Sequence, residues 1–188
     1  MQNTTNIGPE RKRLIVYVVL VLVTLAVYWQ VNHFDFVNID DDRYVTGHTQ
    51  VMAGFTPDTV RWALVTMDVD GMWHPLVWLS FLLDHQLFGL HAGGYHLTNL
   101  IFHILSALLL FRLLQRMTKD IWPSAFVAAL FALHPLHVES VAWIAERKDV
   151  LSAFFWMLTL CLYVYYTEKP ALGRYLPVIF SFFLALLS

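Results

Sequence analysis

Apolar residues gather in long runs that short polar stretches separate. The first run covers residues 14–32 and directly follows the basic string Glu10-Arg11-Lys12-Arg13. Further runs occur at residues 95–114, 123–133 and 150–166, and another starts at residue 175. A transmembrane helix needs about 20 mostly apolar residues to cross a hydrocarbon core of about 30 Å. The pattern therefore predicts an all-α integral membrane protein, a polytopic helical bundle.

Composition supports the same class. The 188-residue chain is 58% hydrophobic and 14% charged, with a mean hydropathy of +0.57. Soluble domains usually carry about 25% charged residues. No Arg-rich run is present that would neutralise successive phosphates, so we predict no nucleic-acid partner. Membrane lipid is the surrounding medium that this composition predicts.

The basic residues predict the orientation. They lie before the first run and after the second and fourth runs, and such positions face the cytoplasm by the positive-inside rule. Residues 1–13 are then a cytoplasmic N-terminus, residues 14–32 the first transmembrane helix, and residues 33–94 an acid-rich loop on the external side, periplasmic or lumenal. Residues 95–188 hold transmembrane helices two to five. The fifth run stops at Ser188, so we expect a chain truncated after the start of its fifth span.

Two helices are predicted inside the loop, and a bend is predicted in the third span. Thr56 and Pro57 favour a short helix that continues to about residue 65, since Thr is a good cap and Pro suits the first turn. Residues 76–88 are apolar but too short to cross, which predicts a helix that lies in the membrane interface. Pro135 should bend or end the third span.

The triplet Asp40-Asp41-Asp42 lies just beyond the first span. Three adjacent carboxylates repel one another and hold water, so a solvated turn is one interpretation. At a membrane exit, a desolvated carboxylate can instead act as a base or hold a cation. We take these three residues as the candidate catalytic group.

Other polar residues recur on the same predicted side. His134, His137 and Glu139 follow the third span, and their spacing around Pro135 differs from the pattern of a helical two-His metal site. We predict that they hydrogen-bond a polar substrate, and we assign no metal site.

Arg147 and Lys148 break the orientation rule, because they are basic residues on the predicted external side. They indicate an anion site, such as one for a lipid-linked phosphate, or local ion pairs with Glu146 and Asp149. His74 is a loop histidine or a further donor-binding residue. One polar stripe, His96, Asn99 and His103, should face the bundle interior.

These residues together resemble a known family. The segments Asp40-Asp41, Trp73-His74-Pro75-Leu76, Tyr95-His96-Leu97-Thr98-Asn99, His134-Pro135-Leu136-His137-Val138-Glu139-Ser140 and Glu146-Arg147-Lys148-Asp149 look like the transmembrane and tetratricopeptide-repeat-containing proteins. That family is similar to the protein O-mannosyltransferases and has the multi-span glycosyltransferase fold of the C type. The resemblance covers residues 34–166, and it makes this chain look like an N-terminal fragment without the further spans and the helical repeats.

The resemblance implies a glycosyltransferase, inactive if the missing part is required. A sugar such as mannose would move from a polyprenyl-phosphate donor to a hydroxyl of a protein or glycan acceptor. The acidic pair maps to Asp40 and Asp41, the additional Asp42 leaves the identity of the base open, and Arg147 is the nearest match to an arginine at the lipid phosphate. A divalent cation is the alternative source of positive charge there.

Two other classes of protein remain open. One is a transporter or ion-binding protein with the carboxylates and histidines along a cation path, and the other is a non-catalytic scaffold.

Overall fold

A computed structural model describes residues 8–67 and 69–188. The first seven residues of the predicted cytoplasmic segment lie outside that description. The described residues form helices and turns without any strand. The nine α-helices in the described ranges are α1 (Pro9–Tyr28), α2 (Thr49–Met52), α3 (Pro57–Val65), α4 (Pro75–Phe88), α5 (Ala92–Thr118), α6 (Ile121–Leu133), α7 (Val138–Ala142), α8 (Arg147–Glu168) and α9 (Leu172–Leu186).

Three helical segments are long and apolar enough to cross a membrane. They are α1 with the 3-10 turn that extends it to His33, α5, and α8 with the turn that precedes it from Ile144. At a rise of 1.5 Å per residue, the 27 residues of α5 extend over about 40 Å. The prediction of an all-α, multi-pass membrane protein is confirmed.

The third predicted span is bent where the sequence places Pro135. Helix α6 ends at Leu133, a 3-10 turn covers Pro135–His137, and α7 continues at an angle of 47°. Counting this pair as one crossing gives up to four spans among the described residues. A proline ring disfavours helical geometry at the preceding residue, and His134 accordingly has an extended backbone.

The loop between α1 and α5 folds as a compact layer of its own. Helix α3 begins as predicted, because the Thr56 hydroxyl accepts a hydrogen bond from the Thr59 N–H and the Thr59 hydroxyl accepts one from the Thr56 N–H. Helix α4 places the fully buried Trp78 at the centre of an apolar cluster. Its 14 residues extend over only about 21 Å, which is less than a bilayer core.

Helix α9 packs along α8 and returns toward the loop. The Thr159 hydroxyl of α8 donates a hydrogen bond to the Ser181 hydroxyl of α9 over 2.9 Å. Just beyond the end of α9, the Leu187 carbonyl accepts a hydrogen bond from the Leu76 N–H at the start of α4. The loop layer, α7 and the end of α9 therefore lie at the same end of the bundle.

Candidate functional site

The acidic triplet lies where the loop layer meets the connection between α7 and α8. Asp41 is fully buried. Its Oδ2 accepts a hydrogen bond from the Val37 N–H over 2.7 Å, and its Oδ1 accepts one from the Ala145 N–H over 3.0 Å. Burial raises the pKa of Asp41, while these two backbone donors oppose the rise. Asp41 thus joins two segments that are 104 positions apart.

The two flanking carboxylates are open to solvent. The side chain of Asp40 is 34% exposed, and its Oδ1 lies 3.5 Å from Arg43 Nη1. Asp42 is exposed, and its Oδ1 accepts a hydrogen bond from the Arg43 N–H. The three residues therefore have separate environments. Asp41 binds backbone N–H groups, whereas Asp40 and Asp42 reach solvent.

We expect the Asp41→Asn variant to lose about 1–3 kcal/mol of unfolding free energy. An asparagine side chain has one carbonyl oxygen, so one of the two buried N–H donors would face an amide NH2 group and lose its acceptor. Thermal unfolding in detergent measures the effect. Asp42→Asn is the matched control and should change stability by less than about 0.5 kcal/mol, because Asp42 is exposed. Equal stability of the two variants would refute the role of Asp41 in joining the loop to the segment before α8.

His74 and Lys148 lie close together beside this junction. His74 is buried and stacks against Trp78, with ring centroids 5.7 Å apart. Its Nε2 has no hydrogen-bond partner among the described residues. Burial lowers the pKa of His74, and the nearby Lys148 ammonium lowers it further, so the imidazole is neutral at pH 7. The Lys148 side chain is 35% exposed, and its ammonium lies 2.9 Å from Glu146 Oε2.

The residues after the third span separate into two environments. His134 and Glu139 are exposed, and His134 Nδ1 accepts a hydrogen bond from the Leu136 N–H. His137 is half-buried, with its ring centroid 4.6 Å from that of Phe131. No three His, Cys, Asp or Glu residues within residues 8–67 and 69–188 form a group that could hold a metal ion.

His137 lies at the polar end of a groove of about 440 Å³. Ser140 and Asp149 lie at the same end, where the Ser140 hydroxyl donates a hydrogen bond to Asp149 Oδ2 over 2.9 Å. Helix α5 adds His103 and Ser106 to the lining, and the remaining wall, from α6, α8 and α9, is largely apolar, with Phe131, Trp156, Met157 and Phe182 among its side chains. A groove with one polar end and an apolar body fits an amphiphilic molecule.

Arg147 lies inside the protein rather than at its surface. Its side chain is fully buried, and its Nη2 donates hydrogen bonds to Asp84 Oδ2 over 2.6 Å and to the Tyr95 carbonyl over 3.0 Å. Its Nε donates to Asn99 Oδ1, and the guanidinium lies 5.1 Å from the centroid of the Phe81 ring. The arrangement joins α4, α5 and α8.

Asp84 is a structural partner that sequence reasoning did not identify. It also accepts a hydrogen bond from the Thr98 hydroxyl over 2.8 Å. Burial raises the pKa of Asp84, and Arg147 opposes the rise. The sequence signal for such a partner was a single carboxylate in the apolar segment Leu82-Leu83-Asp84. A charged side chain is rarely buried unless it is paired.

The polar stripe on α5 is buried, as predicted. His96, Asn99 and His103 are each at most 3% exposed. The Asn99 amide donates to the Trp143 carbonyl, and His103 Nε2 lies 3.0 Å from the Ala132 carbonyl oxygen. Asn99 and His103 therefore connect α5 to neighbouring segments of the bundle.

Comparison with known proteins identifies relatives. No family model matches the sequence, and no solved structure matches the chain. Protein O-mannosyl-transferase TMTC1 of Mus musculus is 33% identical over 160 residues, which is 79% of this chain and 17% of that protein. Protein O-mannosyl-transferase Tmtc2 of Drosophila melanogaster is 32% identical over 132 residues, 66% of this chain and 14% of that protein.

A third relative covers less of the chain at higher identity. Protein O-mannosyl-transferase TMTC2 of Mus musculus is 36% identical over 92 residues, which is 49% of this chain and 11% of that protein. The matches thus span between 11% and 17% of the length of these three relatives. Over as much as 79% of its own length, the chain is similar to the protein O-mannosyl-transferases.

Proposed function

We propose that this chain contributes the acidic centre of a membrane glycosyltransferase that moves mannose from a polyprenyl-phosphate donor to a protein hydroxyl. The observation that carries the proposal is the similarity to proteins named protein O-mannosyl-transferases. The geometry adds support, because exposed carboxylates, a lysine and an amphiphile-sized groove lie at the same end of the bundle.

Asp40 is the proposed general base. It is the half-exposed member of the triplet that directly precedes the buried Asp41, so the backbone anchored by Asp41 fixes its position. In the transfer, Asp40 takes the proton of the acceptor hydroxyl while the hydroxyl oxygen bonds to the sugar carbon and the phosphate leaves. A positioned base contributes roughly 100- to 10,000-fold to such a step.

Lys148 is the proposed contact for the leaving phosphate. Its ammonium is partly exposed at the start of α8, whereas Arg147 is enclosed and paired with Asp84. Positive charge near the phosphate stabilises the negative charge that develops as the bond to the sugar breaks. His74 lies beside Lys148, and its neutral ring can hydrogen-bond the donor. In this proposal Arg147 positions α8, and a divalent cation remains the second source of positive charge.

The groove beside His137 is the proposed place for the isoprenoid part of the donor. Its apolar wall suits a hydrocarbon chain, and the hydroxyl of Ser140 and the ring of His137 can hydrogen-bond the polar head. His134 and Glu139, both exposed on the same connection, are available to sugar hydroxyls. Membrane lipid would compete for this groove.

Transport of an ion is the alternative from another class. A conducting path needs polar side chains that face an open passage through the spans. Asn99 and His103 instead bind backbone carbonyls of neighbouring segments. Because these two side chains already bind protein groups, we favour the transferase over the transporter.

Sugar transfer tests the proposal. Membranes that carry the complete gene product should transfer radiolabelled mannose from polyprenyl-phosphate mannose to protein, and the Asp40→Asn/Asp41→Asn variant should lose this transfer because the base and its anchor are gone. Asp58→Asn alters an exposed carboxylate at the start of α3 and should keep wild-type transfer. Equal transfer by wild type and the double variant would contradict the acidic centre, and no transfer by a folded wild type would favour the transporter or scaffold.

A further inference from the structure

A polar cavity lies at the opposite end of the bundle from the acidic triplet. Its volume is about 340 Å³. It opens near the last turns of α5 and α8 and the first turns of α1, so the length of α5, about 40 Å, separates it from the loop layer. The lining side chains are Arg13, Arg112, Gln115, Arg116, Lys119 and Glu168.

The cavity carries surplus positive charge. Arg116 binds Glu168 through two hydrogen bonds, from Nε and Nη2, and Arg13 Nη1 lies 2.7 Å from Glu10 Oε1. Arg112 and Lys119 are exposed, and their side chains form no hydrogen bond or close ion pair in the described ranges, although the Lys119 charge acts on Glu168. The Nε of Arg13 is buried and likewise lacks a partner there. Four cations and one carboxylate, Glu168, thus line the cavity, and Glu10 pairs with Arg13 from outside the lining.

General membrane-protein effects explain only part of this arrangement. Basic residues near the end of α5 interact favourably with the helix dipole, and the positive-inside rule favours them on the cytoplasmic side. Neither effect requires Arg13 of α1 and Arg112 of α5 to line the same half-open cavity. Convergent, partly unpaired guanidinium groups are the usual way in which proteins bind phosphate.

The position indicates where the phosphate comes from. Arg13 directly precedes the apolar run that starts at Leu14, so the cavity lies at the boundary between hydrocarbon and headgroups. The cavity, at about 340 Å³, is far larger than the site of a single water and has room for a phosphate group. We propose that the cavity binds the phosphate of an anionic membrane phospholipid.

The bound headgroup would link α1 and α5, whose cations otherwise repel one another. Arg13 belongs to α1, whereas Arg112 and Lys119 lie at the end of α5, so one phosphate would neutralise charges on two helices. Basic pockets between transmembrane helices on the cytoplasmic side commonly hold anionic headgroups. This site is independent of the proposed transferase chemistry at the other end of the bundle.

Lipid titration of the purified protein in detergent tests the site. Dioleoyl phosphatidate should remain bound in native mass spectrometry and raise Tm, whereas dioleoyl phosphatidylcholine should do neither. The Arg112→Gln/Lys119→Gln variant should bind phosphatidate about tenfold more weakly, since each basic residue contributes to headgroup attraction. Arg13→Gln tests the same cavity from α1 and should also weaken binding.

A charge-matched control separates the cavity from general surface charge. Arg11→Gln/Lys169→Gln removes two exposed cations near the same end that do not line the cavity, and it should bind as wild type does. Unchanged affinity in both cavity variants, or an equal loss in the control, would overturn the proposal. Displacement of phosphatidate by an equal concentration of inorganic phosphate would overturn the lipid as its occupant.

Discussion

The Arg147→Met variant is expected to lose about 3–5 kcal/mol of unfolding free energy. Methionine keeps much of the side-chain volume but removes every hydrogen bond that the guanidinium makes. Asp84, itself only 3% exposed, would then be a buried charge without its partner. The acceptors on Asn99 and Tyr95 would also lose their donors. Thermal or denaturant unfolding in detergent measures the loss.

A second substitution separates charge from packing. Asp84→Asn removes the buried negative charge and can keep the hydrogen bond from Thr98. The Asp84→Asn/Arg147→Met variant should therefore recover a large part of the stability lost in Arg147→Met, because no unpaired ion remains. Strictly additive losses in the double variant would contradict the ion pair as the source of the effect.

The same variant should respond to pH in a defined direction. Burial already raises the pKa of Asp84, and removal of Arg147 takes away the group that opposes the rise. The folded state then binds a proton more readily than the unfolded state, whose Asp pKa is about 3.9. Stability is therefore lost as pH rises through the folded pKa and regained on acidification. Arg147→Met should gain stability as the pH falls toward the unfolded Asp pKa of about 3.9, relative to the double variant, which lacks the titrating group.

The Asp40→Asn variant is expected to lose roughly 100- to 10,000-fold in mannose transfer while its stability stays near that of wild type. Asparagine cannot accept the proton of the acceptor hydroxyl. The side chain is partly exposed and pairs with Arg43 only at 3.5 Å, so its replacement should change the unfolding free energy by less than about 1 kcal/mol. The measurement is kcat for transfer in membranes that carry the complete gene product, together with Tm.

The comparison with Asp41→Asn distinguishes loss of the base from loss of stability. That variant should lose stability, because one of the two buried backbone N–H donors loses its acceptor, and its transfer should fall with the folded fraction. Asp58→Asn, on the exposed start of α3, should leave both transfer and Tm close to wild type. Full transfer by Asp40→Asn would remove Asp40 as the base.

Local sequence patterns were sufficient to predict the helices. Apolar runs of spanning length identified α1, α5 and α8, because burial in hydrocarbon requires such runs whatever the helices contact. Thr56 and Pro57 marked the start of α3, and Pro135 marked the bend after α6, because caps and prolines act within a few residues of themselves. The polar stripe on α5 was identified from its helical spacing alone.

The partners of the charged residues depend on tertiary structure. Arg147 stands between Glu146 and Asp149 in the sequence, yet it pairs with Asp84, which is 63 positions away. Asp41 is indistinguishable from Asp40 and Asp42 in the triplet, yet it alone binds the Ala145 N–H. Helical periodicity shows which face of a helix is buried but not which other segment covers that face. Only the packing of α4, α5 and α8 removes Arg147 from solvent and leaves Lys148 and Asp40 accessible.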